Sequence, residues 1–310
     1  MTQVTASAPG KFVILGEHAV VYGKPAIALA IDRRFTVRVS PGPEFRINGE
    51  PADINANPHI KHVSSLYDMR PVSLHTESRI PPGAGLGSSA ALSVAFSGAM
   101  RRLHGLAVEP ESVAAEAFDA EYAAQGRGSP MDTSACTHGY GVALNMRGCD
   151  RPLWSLEKGG NRWDVHDIDV PAMTFVIGHT GIRAATGPLV EKVRKFRERN
   201  RFASDIVDEI GDVTLEGMTA LRTDDRVRLG ELMTYDHKLL SILGVSCKEL
   251  NKLVDASLPH AYGAKLTGSG GGGCMIALTD APDRVAEAIR SRGGMPYTVS
   301  TRVEGLTVGR

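Results

Sequence analysis

Three glycines at alternate positions, followed by two serines, form the segment with the clearest chemical potential. They are Gly83, Gly85 and Gly87, and Ser88 and Ser89 follow at the predicted start of a helix. Glycine lets backbone amides turn towards a ligand in conformations that side chains forbid. A helix N-terminus offers unpaired N–H groups and partial positive charge, and a serine hydroxyl there can ligate Mg²⁺. The segment therefore indicates either a phosphate site or a glycine-rich turn with a serine N-cap.

Charged side chains beside a short apolar run form a second group of candidates. Lys11 precedes the run at 12–15, and Glu17 and His18 follow it. Charges so close to a buried strand are costly unless they are paired or used. Taken individually, these residues favour a solvated strand end for Lys11 and a polar turn for Glu17 and His18.

Two carboxylates in the middle of the chain could bind a metal ion or move a proton. Glu121 shares a face with Ala117 and Phe118 in the helix predicted over 109–125. A carboxylate on an apolar face needs a partner, which is either a salt-bridged cation or a metal ion. Asp132 lies in the segment 126–141, which looks irregular, and there it either caps a turn or takes part in catalysis.

A second glycine cluster occurs late in the chain. Six glycines fall within the eleven residues 263–273, between two apolar segments that are typical of buried strands. Glycines in such positions cost conformational entropy. Close approach of the backbone to a ligand is the expected reason for this cluster.

Predicted strands and helices connect these motifs. Strands are predicted at 12–15, 27–39, 72–77 and 173–178, and helices at 59–69, 90–103, 109–125, 187–199, 204–222, 227–243 and 283–292. The composition changes over 145–169, where a surface hairpin is expected. We therefore predict two domains, residues 1–169 and 170–310.

The overall composition argues against several classes of function. Lys plus Arg equals Asp plus Glu at 35 each, so no net charge attracts nucleic acid or a membrane surface. The four cysteines show no metal-binding spacing. The sequence shows no signal-like N-terminus and no apolar run long enough to span a membrane. We expect a cytoplasmic protein with reduced cysteines that binds neither nucleic acid nor membranes.

Three separated motifs together resemble those of the GHMP kinases, a superfamily of small-molecule kinases. The first combines Pro-Gly-Lys and Gly-Glu-His-Ala-Val-Val between residues 9 and 21. The others are Pro-Pro-Gly-Ala-Gly-Leu-Gly-Ser-Ser at 81–89 and Lys-Leu-Thr-Gly-Ser-Gly-Gly-Gly-Gly-Cys at 265–274. Within the superfamily, the Gly-Glu-His segment and Ser-Pro-Met-Asp at 129–132 are most similar to the mevalonate kinase family.

The resemblance implies an α+β fold of the GHMP kinase type. Its N-terminal domain would be like ribosomal protein S5 domain 2, and its C-terminal domain would be a ferredoxin-like α/β domain. The resemblance also implies ATP and Mg²⁺ as cofactors, phosphorylation of the 5-hydroxyl of mevalonate in isoprenoid biosynthesis, and a homodimer.

Roles for individual residues are likewise implied by the resemblance. Asp132 would accept the hydroxyl proton with Lys11 paired to it, and Ser89 and Glu121 would ligate Mg²⁺. The implied nucleotide site comprises Pro82, Gly83, Ala84, Gly85, Leu86, Gly87, Ser88 and Ser89. The implied substrate site comprises Lys11, Glu17, His18, Asp132, Thr186, Gly270 and Gly271. Some relatives carry an arginine two residues before the threonine, where this chain has Ala184 next to Arg183.

Other functions remain open on the sequence. The nearest alternative is a GHMP kinase that acts on phosphomevalonate or a sugar. A diphosphomevalonate decarboxylase shares the fold but lacks this Gly-Glu-His segment. A non-catalytic nucleotide-binding regulator would have no chemical need for Lys11, Glu121 and Asp132 together.

Overall fold

Two β-sheets and the helices that cover them organise the molecule. The computed structural model describes residues 3–126, 128–146, 151–183 and 186–309, without the side chain of Thr186. Its strands are β1 (Val4–Leu15), β2 (Ala26–Pro41), β3 (Arg46–Ile47), β4 (Glu50–Pro51), β5 (Val72–Ser78), β6 (Gly141–Leu144), β7 (Trp154–Lys158), β8 (Asn161–Ile168), β9 (Thr174–His179), β10 (Gly263–Thr267), β11 (Cys274–Leu278), β12 (Met295–Ser300) and β13 (Thr307–Gly309).

The helices are distributed between the two halves of the chain. They are α1 (Pro58–Ser65), α2 (Ser88–Leu103), α3 (Pro110–Gln125), α4 (Met131–His138), α5 (Thr186–Arg199), α6 (Arg201–Arg222), α7 (Arg226–Ile242), α8 (Lys248–Ser257) and α9 (Pro282–Ser291). None of the helices in the described ranges is long and apolar enough to cross a membrane.

The first sheet is built around the long strand β2. Its order is β4-β3-β5-β2-β6-β8-β7, and β1 pairs with both β2 and β13. The first half of β2 alternates Ala with Ile or Leu and is buried throughout. Ile27, Leu29 and Ile31 belong to the main core cluster, whereas Ala26 and Ala28 belong to a second cluster on the opposite face. The side-chain period of two thus lets one strand serve two cores.

The second sheet has the order β10-β11-β9-β12, and its pairs are all antiparallel. Several contacts join it to the first sheet, among them the Arg33 Nη2 bond to the Thr298 carbonyl at 2.9 Å. The rings of Phe12 and Phe175 are 4.8 Å apart. The Thr267 hydroxyl donates to the Val13 carbonyl at 2.8 Å and accepts from the Val13 N–H at 3.1 Å. The end of β1 is therefore held by both sheets.

Most predicted elements are confirmed, with three differences. β1 begins at Val4 rather than Phe12, because its first residues pair with β2 and β13. α1 ends at Ser65 rather than residue 69, since Asp68 and Met69 adopt positive φ. The segment 126–141 is not irregular throughout, because it contains α4.

The α+β architecture is confirmed, with helices and mainly antiparallel sheets in both halves; the β3–β5 pair is parallel. The domain boundary between residues 169 and 170 stays a prediction. It falls between β8 and β9, and β13 returns from the C-terminal end of the chain to pair with β1. Cys136, Cys247 and Cys274 are free thiols, and Cys149 lies outside the described residues.

Candidate active site

The glycine-rich loop ends directly at the N-terminus of α2. Gly83, Gly85 and Gly87 have φ of 68°, 74° and 74°, which is the left-handed region that side chains disfavour. The N-cap residue is Gly87, and no side chain caps the helix. The serine N-cap is therefore wrong, since Ser88 begins the helix itself. The loop therefore leads into the uncapped N-terminus of α2, where an anion can bind.

Lys11 lies underneath this loop. Its backbone N–H donates to the Leu86 carbonyl at 3.0 Å, and its Nζ donates to the Gly85 carbonyl at 3.3 Å. A Cβ at Gly87 would be 3.0 Å from Lys11 Cγ and Cε. Lys11 is thus not a solvated strand end, because its aliphatic stem is enclosed by the loop.

The amino group of Lys11 is paired with Asp132. Lys11 Nζ lies 2.9 Å from Asp132 Oδ1, and the two side chains are 4% and 43% exposed. Asp132 is the second residue of α4, after the N-cap Pro130, so it does not cap the helix. The rest of α4 up to Thr137 is buried, which leaves Asp132 at the surface. The pair therefore presents a carboxylate, backed by a buried cation, beside the glycine-rich loop.

Glu121 lies on α3, the helix that packs beside α2. Its Oε2 accepts from Gln125 Nε2 at 2.6 Å, and its Oε1 is 3.1 Å from His59 Nε2. Oε1 is buried and has no hydrogen bond of good geometry to any described residue. Such a buried oxygen without a well-formed hydrogen bond can ligate a hard cation that keeps most of its waters. The hydroxyl of Ser89, on the neighbouring helix, is a suitable second ligand. Among the described residues, no cluster of three or more His, Cys, Asp or Glu side chains could hold a metal by itself.

The Gly-Glu-His turn is buried and strained. Gly16 has φ of 95°, and a Cβ there would be 2.4 Å from the Pro25 carbonyl, so only glycine fits. His18 also has a positive φ, of 61°. Its Nε2 is 3.0 Å from the Ser269 carbonyl, which assigns the ring proton to Nε2. Burial lowers the pKa of His18, which favours the neutral ring.

Glu17 points into the protein and pairs with a residue of the second glycine motif. Its carboxylate bonds to Lys265 Nζ, and the two side chains are 2% and 0% exposed. Burial raises the pKa of Glu17 to about 8, although Lys265 opposes the shift. Lys265 also lies 3.2 Å from Asp236 Oδ2 on α7. Glu17 is therefore part of a buried charge cluster rather than a polar surface turn.

Sequence reasoning assigned no role to Lys265 or Asp236. One signal was present for Asp236. It lies three residues after Met233 and four before Leu240, both buried, so it stands on the apolar stripe of α7. A carboxylate at such a position indicates a buried partner in the same way that Glu121 does.

The second glycine run contacts the first. A Cβ at Gly268 would be 3.9 Å from the Gly85 carbonyl, and one at Gly273 would be 3.7 Å from the Ala84 carbonyl. Gly270 has φ of 79°, and a Cβ there would be 2.0 Å from the Val245 carbonyl. At Gly271, a Cβ would be 2.8 Å from Leu189 Cδ1. Close contact with the protein itself thus accounts for Gly270 and Gly271, and their contact with substrate stays a prediction.

The segment before α5 lies between these two glycine runs. The Gly273 N–H donates to the Ile182 carbonyl at 2.8 Å. Arg183 lies over the first loop, since a Cβ at Gly83 would be 3.2 Å from Arg183 Nε. Ala184 lies outside the described residues, and so does the side chain of Thr186, whose backbone begins α5. The position of Thr186 relative to a substrate stays a prediction.

Family models and individual relatives both match this chain. Residues 57–140 match the family described as GHMP kinases N terminal domain, and residues 218–294 match GHMP kinases C terminal. The chain is 36% identical to a mevalonate kinase of Thermococcus sibiricus, over 99% of this chain and 98% of that protein. It is 38% identical to a mevalonate kinase of Methanothermobacter thermautotrophicus, over 88% of this chain and 89% of that protein.

Solved structures show the same fold. The crystal structure of L. major mevalonate kinase in complex with R-mevalonate matches with a TM-score of 0.82 at 24% identity, over 96% of each chain. The Streptococcus pneumoniae phosphomevalonate kinase matches with a TM-score of 0.76 at 18% identity, over 96% of this chain and 99% of that chain. Kinases with different acceptors thus share the architecture.

Proposed function

Because the chain belongs to the mevalonate kinase family of the GHMP kinases, we propose that it transfers the γ-phosphoryl group of ATP to the 5-hydroxyl of mevalonate. The observation that carries this proposal is the Lys11–Asp132 pair beside an uncapped helix N-terminus. Phosphoryl transfer needs positioning and neutralisation of charge more than covalent chemistry. This arrangement supplies an anion site, a cation and a proton acceptor next to one another.

The nucleotide would bind along the first glycine loop. We propose that backbone N–H groups between Pro82 and Ser89 hold the phosphates at the start of α2, where the helix dipole favours negative charge. Ser89 and Glu121 would hold Mg²⁺. When bound, the metal supplies positive charge that neutralises the phosphate oxygens. Glu121 Oε1 is buried without a well-formed hydrogen bond to a described residue, and this supports the assignment.

Asp132 would act on the acceptor hydroxyl. In this proposal the 5-hydroxyl gives its proton to the Asp132 carboxylate, and the oxygen lone pair forms the new bond to the γ-phosphorus. The bond between that phosphorus and the bridging oxygen breaks, and ADP leaves with its electrons. Lys11 holds the carboxylate in place and offsets the negative charge on the attacking oxygen.

The acceptor would lie between the two glycine runs. We propose that His18, Thr186, Gly270 and Gly271 line this side of the site, together with Lys11 and Asp132. Burial favours the neutral ring of His18, and the contact of Nε2 with the Ser269 carbonyl leaves Nδ1 as an acceptor for a substrate hydroxyl. Glu17 would lie directly beneath the acceptor site and support it from below, because its side chain is only 2% exposed.

Release of ADP in a coupled assay tests the activity. Purified protein would be supplied with MgATP and, in separate reactions, R-mevalonate, 5-phosphomevalonate and galactose. We expect turnover with mevalonate to exceed that with the other acceptors by about a hundredfold, because a site built for one set of hydrogen bonds discriminates strongly. Turnover only with another acceptor would assign a sibling activity. Nucleotide binding without any turnover would favour the non-catalytic regulator.

We further propose that the enzyme is a cytoplasmic homodimer. The resemblance to the family supports both statements, and the balanced charge of 35 basic and 35 acidic residues is compatible with them. Light scattering coupled to size-exclusion chromatography measures the oligomeric state directly. A mass of one chain, near 33.1 kDa, would contradict the dimer without affecting the proposed reaction.

A further inference from the structure

A buried cluster of three charged side chains lies under the proposed acceptor site. Lys265 of β10 bonds to Glu17 and lies 3.2 Å from Asp236 of α7. The side chains of Lys265 and Asp236 are 0% exposed, and that of Glu17 is 2% exposed. Burial of an ion pair costs several kcal/mol per ion unless the geometry compensates. The cluster is therefore weak evidence for a gain in stability, which raises the question of another role.

The charge balance of the cluster favours one extra proton. With all three groups ionised, one cation would face two anions inside the protein. Burial raises the pKa values of both carboxyls, that of Glu17 to about 8. Glu17 Oε2 and Asp236 Oδ1 also have no hydrogen-bond partner among the described residues. One proton held between the two carboxyls beside Lys265 satisfies the balance at neutral pH.

The cluster joins three parts of the proposed site. Glu17 belongs to the turn that carries His18, and Lys265 begins the motif that ends in the glycine run. Asp236 belongs to α7, and its neighbour His237 accepts the Leu266 N–H at 3.2 Å through Nδ1. β10 is an edge strand, so this bond fixes the strand to α7 where no neighbouring strand can.

Both the ring and the backbone of His18 are restrained. The ring bonds to the Ser269 carbonyl of the glycine run. The backbone, at φ 61°, adopts a conformation that costs about 1–3 kcal/mol for a non-glycine residue. Such a conformation persists only where the surroundings impose it; the bond from Glu17 to Lys265 is one adjacent restraint, beside the backbone bond from Ala19 N–H to the Glu17 carbonyl.

We propose that Lys265 and Asp236 are positioning residues for the acceptor alcohol, which act by fixing Glu17 and thereby the His18 ring against the glycine run. This inference rests on the proposed function, because it concerns the same acceptor site. Neither residue reaches the site itself, since both are fully buried. Their effect on catalysis passes through the position of His18.

Kinetics of two single variants test the role. Asp236→Asn removes the second partner of Lys265 at constant size, and Lys265→Met removes the cation. We expect each to raise KM for mevalonate by roughly ten- to a hundredfold, because displacement of a positioning group by about 1 Å has effects of this size. KM for ATP should change by less than about threefold, since the hydrogen bonds and ion pairs described for Glu17, Lys265 and Asp236 do not include the nucleotide loop. Equal increases in both KM values, or no change in either, would overturn the proposal.

A charge-free double variant separates positioning from stability. Lys265→Met leaves buried carboxyls without their cation and can prevent folding. Lys265→Met combined with Asp236→Leu replaces the pair by apolar groups, which is often neutral for stability. We expect this protein to unfold near the wild-type temperature but to keep the raised KM for mevalonate. A folded double variant with a wild-type KM for mevalonate would overturn the proposal.

A matched control uses another partly buried ion pair. Arg101 bonds to Glu116 at 2.5 Å, with side chains 15% and 18% exposed. Arg101 lies near the C-terminal end of α2, roughly 20 Å along the helix from Ser88. Arg101→Met should lower the unfolding temperature without changing either KM. If wild-type protein does not phosphorylate mevalonate at all, the proposed function fails. If it does but the cluster variants behave like Arg101→Met, only this inference fails.

Discussion

At the scale of single residues, the pairing of Lys11 with Asp132 joins a buried cation to an accessible carboxylate. The amino group is enclosed by the loop and by its contact with the Gly85 carbonyl, whereas Asp132 is 43% exposed. A carboxylate in this setting stays able to approach a hydroxyl while its partner is held in place. This asymmetry leaves the carboxylate accessible for proton transfer while its cation stays buried.

Replacement of Asp132 by Asn tests its role as the base. We expect Asp132→Asn to lower kcat by about 10²- to 10⁴-fold, the usual contribution of a general base, and to leave nucleotide binding almost unchanged. Steady-state kinetics and titration with a fluorescent ADP analogue measure the two effects. Asp119→Asn is the control, because Asp119 forms a comparable surface pair with Lys158 at 2.6 Å away from the loop. Near-normal turnover of Asp132→Asn would remove the base assignment.

Glu121 offers a similar test for the metal. Glu121→Gln keeps the shape of the side chain but removes its charge, so the Mg²⁺ concentration for half-maximal rate should rise by about tenfold or more. A Mg²⁺ titration of initial rates at saturating ATP measures it. An unchanged titration would assign Glu121 to its contact with His59, at 3.1 Å, as a structural ion pair.

The raised pKa of Glu17 predicts a pH dependence of stability. Its pKa rises from 4.5 to about 8 on folding, chiefly through burial. Between these two pH values the folded protein binds more protons than the unfolded chain. The free energy of unfolding therefore falls as pH rises through this window, by up to about 1.4 kcal/mol per pH unit from this group.

Urea unfolding of wild-type protein and Glu17→Gln between pH 5 and pH 8 measures this contribution. Glutamine mimics the neutral acid and does not titrate, so the difference in slope between the two proteins isolates Glu17. The wild-type protein should lose stability relative to the variant as pH rises. Parallel curves for the two proteins would contradict a neutral Glu17.

At the scale of elements, the start of α2 and the strand β1 shape the site together. α2 begins with small residues and is almost entirely buried from Ala90 to Met100, which brings its N-terminus close to β1. Gly87 has the left-handed backbone that ends the loop, and its missing side chain leaves the space that Lys11 fills. One glycine therefore serves both the backbone turn and the position of the lysine.

Gly87→Ala tests both requirements, and Gly105→Ala, at the opposite end of α2, is the control. Gly105 follows the other end of α2 with φ of 72° and open space around it. Both Gly87→Ala and Gly105→Ala should lose about 1–2 kcal/mol of stability from the backbone alone. Only Gly87→Ala should also lower kcat, because its methyl group would displace Lys11. Equal activity of the two folded variants would show that Lys11 tolerates displacement.

At the scale of the whole molecule, the contact between the sheets brings the two halves of the proposed site together. Lys11 and Asp132 belong to the first half of the chain, whereas Lys265 and the glycine run belong to the second. The register of β1 against β2 shifts between Val13 and Leu15, and a bulge of this kind leaves backbone groups outside the ladder. Thr267 bonds to both the N–H and the carbonyl of Val13, which joins the sheets near Lys11.

Thr267→Val tests this connection. The variant keeps the shape of the side chain but leaves two backbone groups of Val13 without their partner, so we expect a loss of about 1–3 kcal/mol and a lower kcat. Thr214→Val is the control, because the Thr214 hydroxyl is equally buried but donates within its own helix to Ile210. Chemical denaturation and kinetics of both variants provide the comparison. Full activity of Thr267→Val would show that the site does not depend on this bond.

Much of the architecture was predictable from local patterns. The glycine loop before α2, the helix α3 with Pro110 at its first turn and the strand β9 all depend on residues close in sequence. The helix α4 was missed because its eight residues include Thr and Ser and have little apolar periodicity, and because its stability comes from burial between α2, β1 and β6. Local propensity is weak evidence where tertiary contacts supply most of the stability.

The sequence by itself determined the chemistry that is available: a glycine loop at a helix start, a lysine, and carboxylates on apolar faces. Resemblance to a known family then assigned roles to Lys11, Glu121 and Asp132. Only the tertiary structure decided that the loop encloses the side chain of Lys11, and that Glu17 forms a buried cluster with Lys265 and Asp236. Glu17 and Lys265 are 248 positions apart in the chain. Sequence patterns report which residues share a face of one element, whereas a buried charge selects its partner only when separate elements meet.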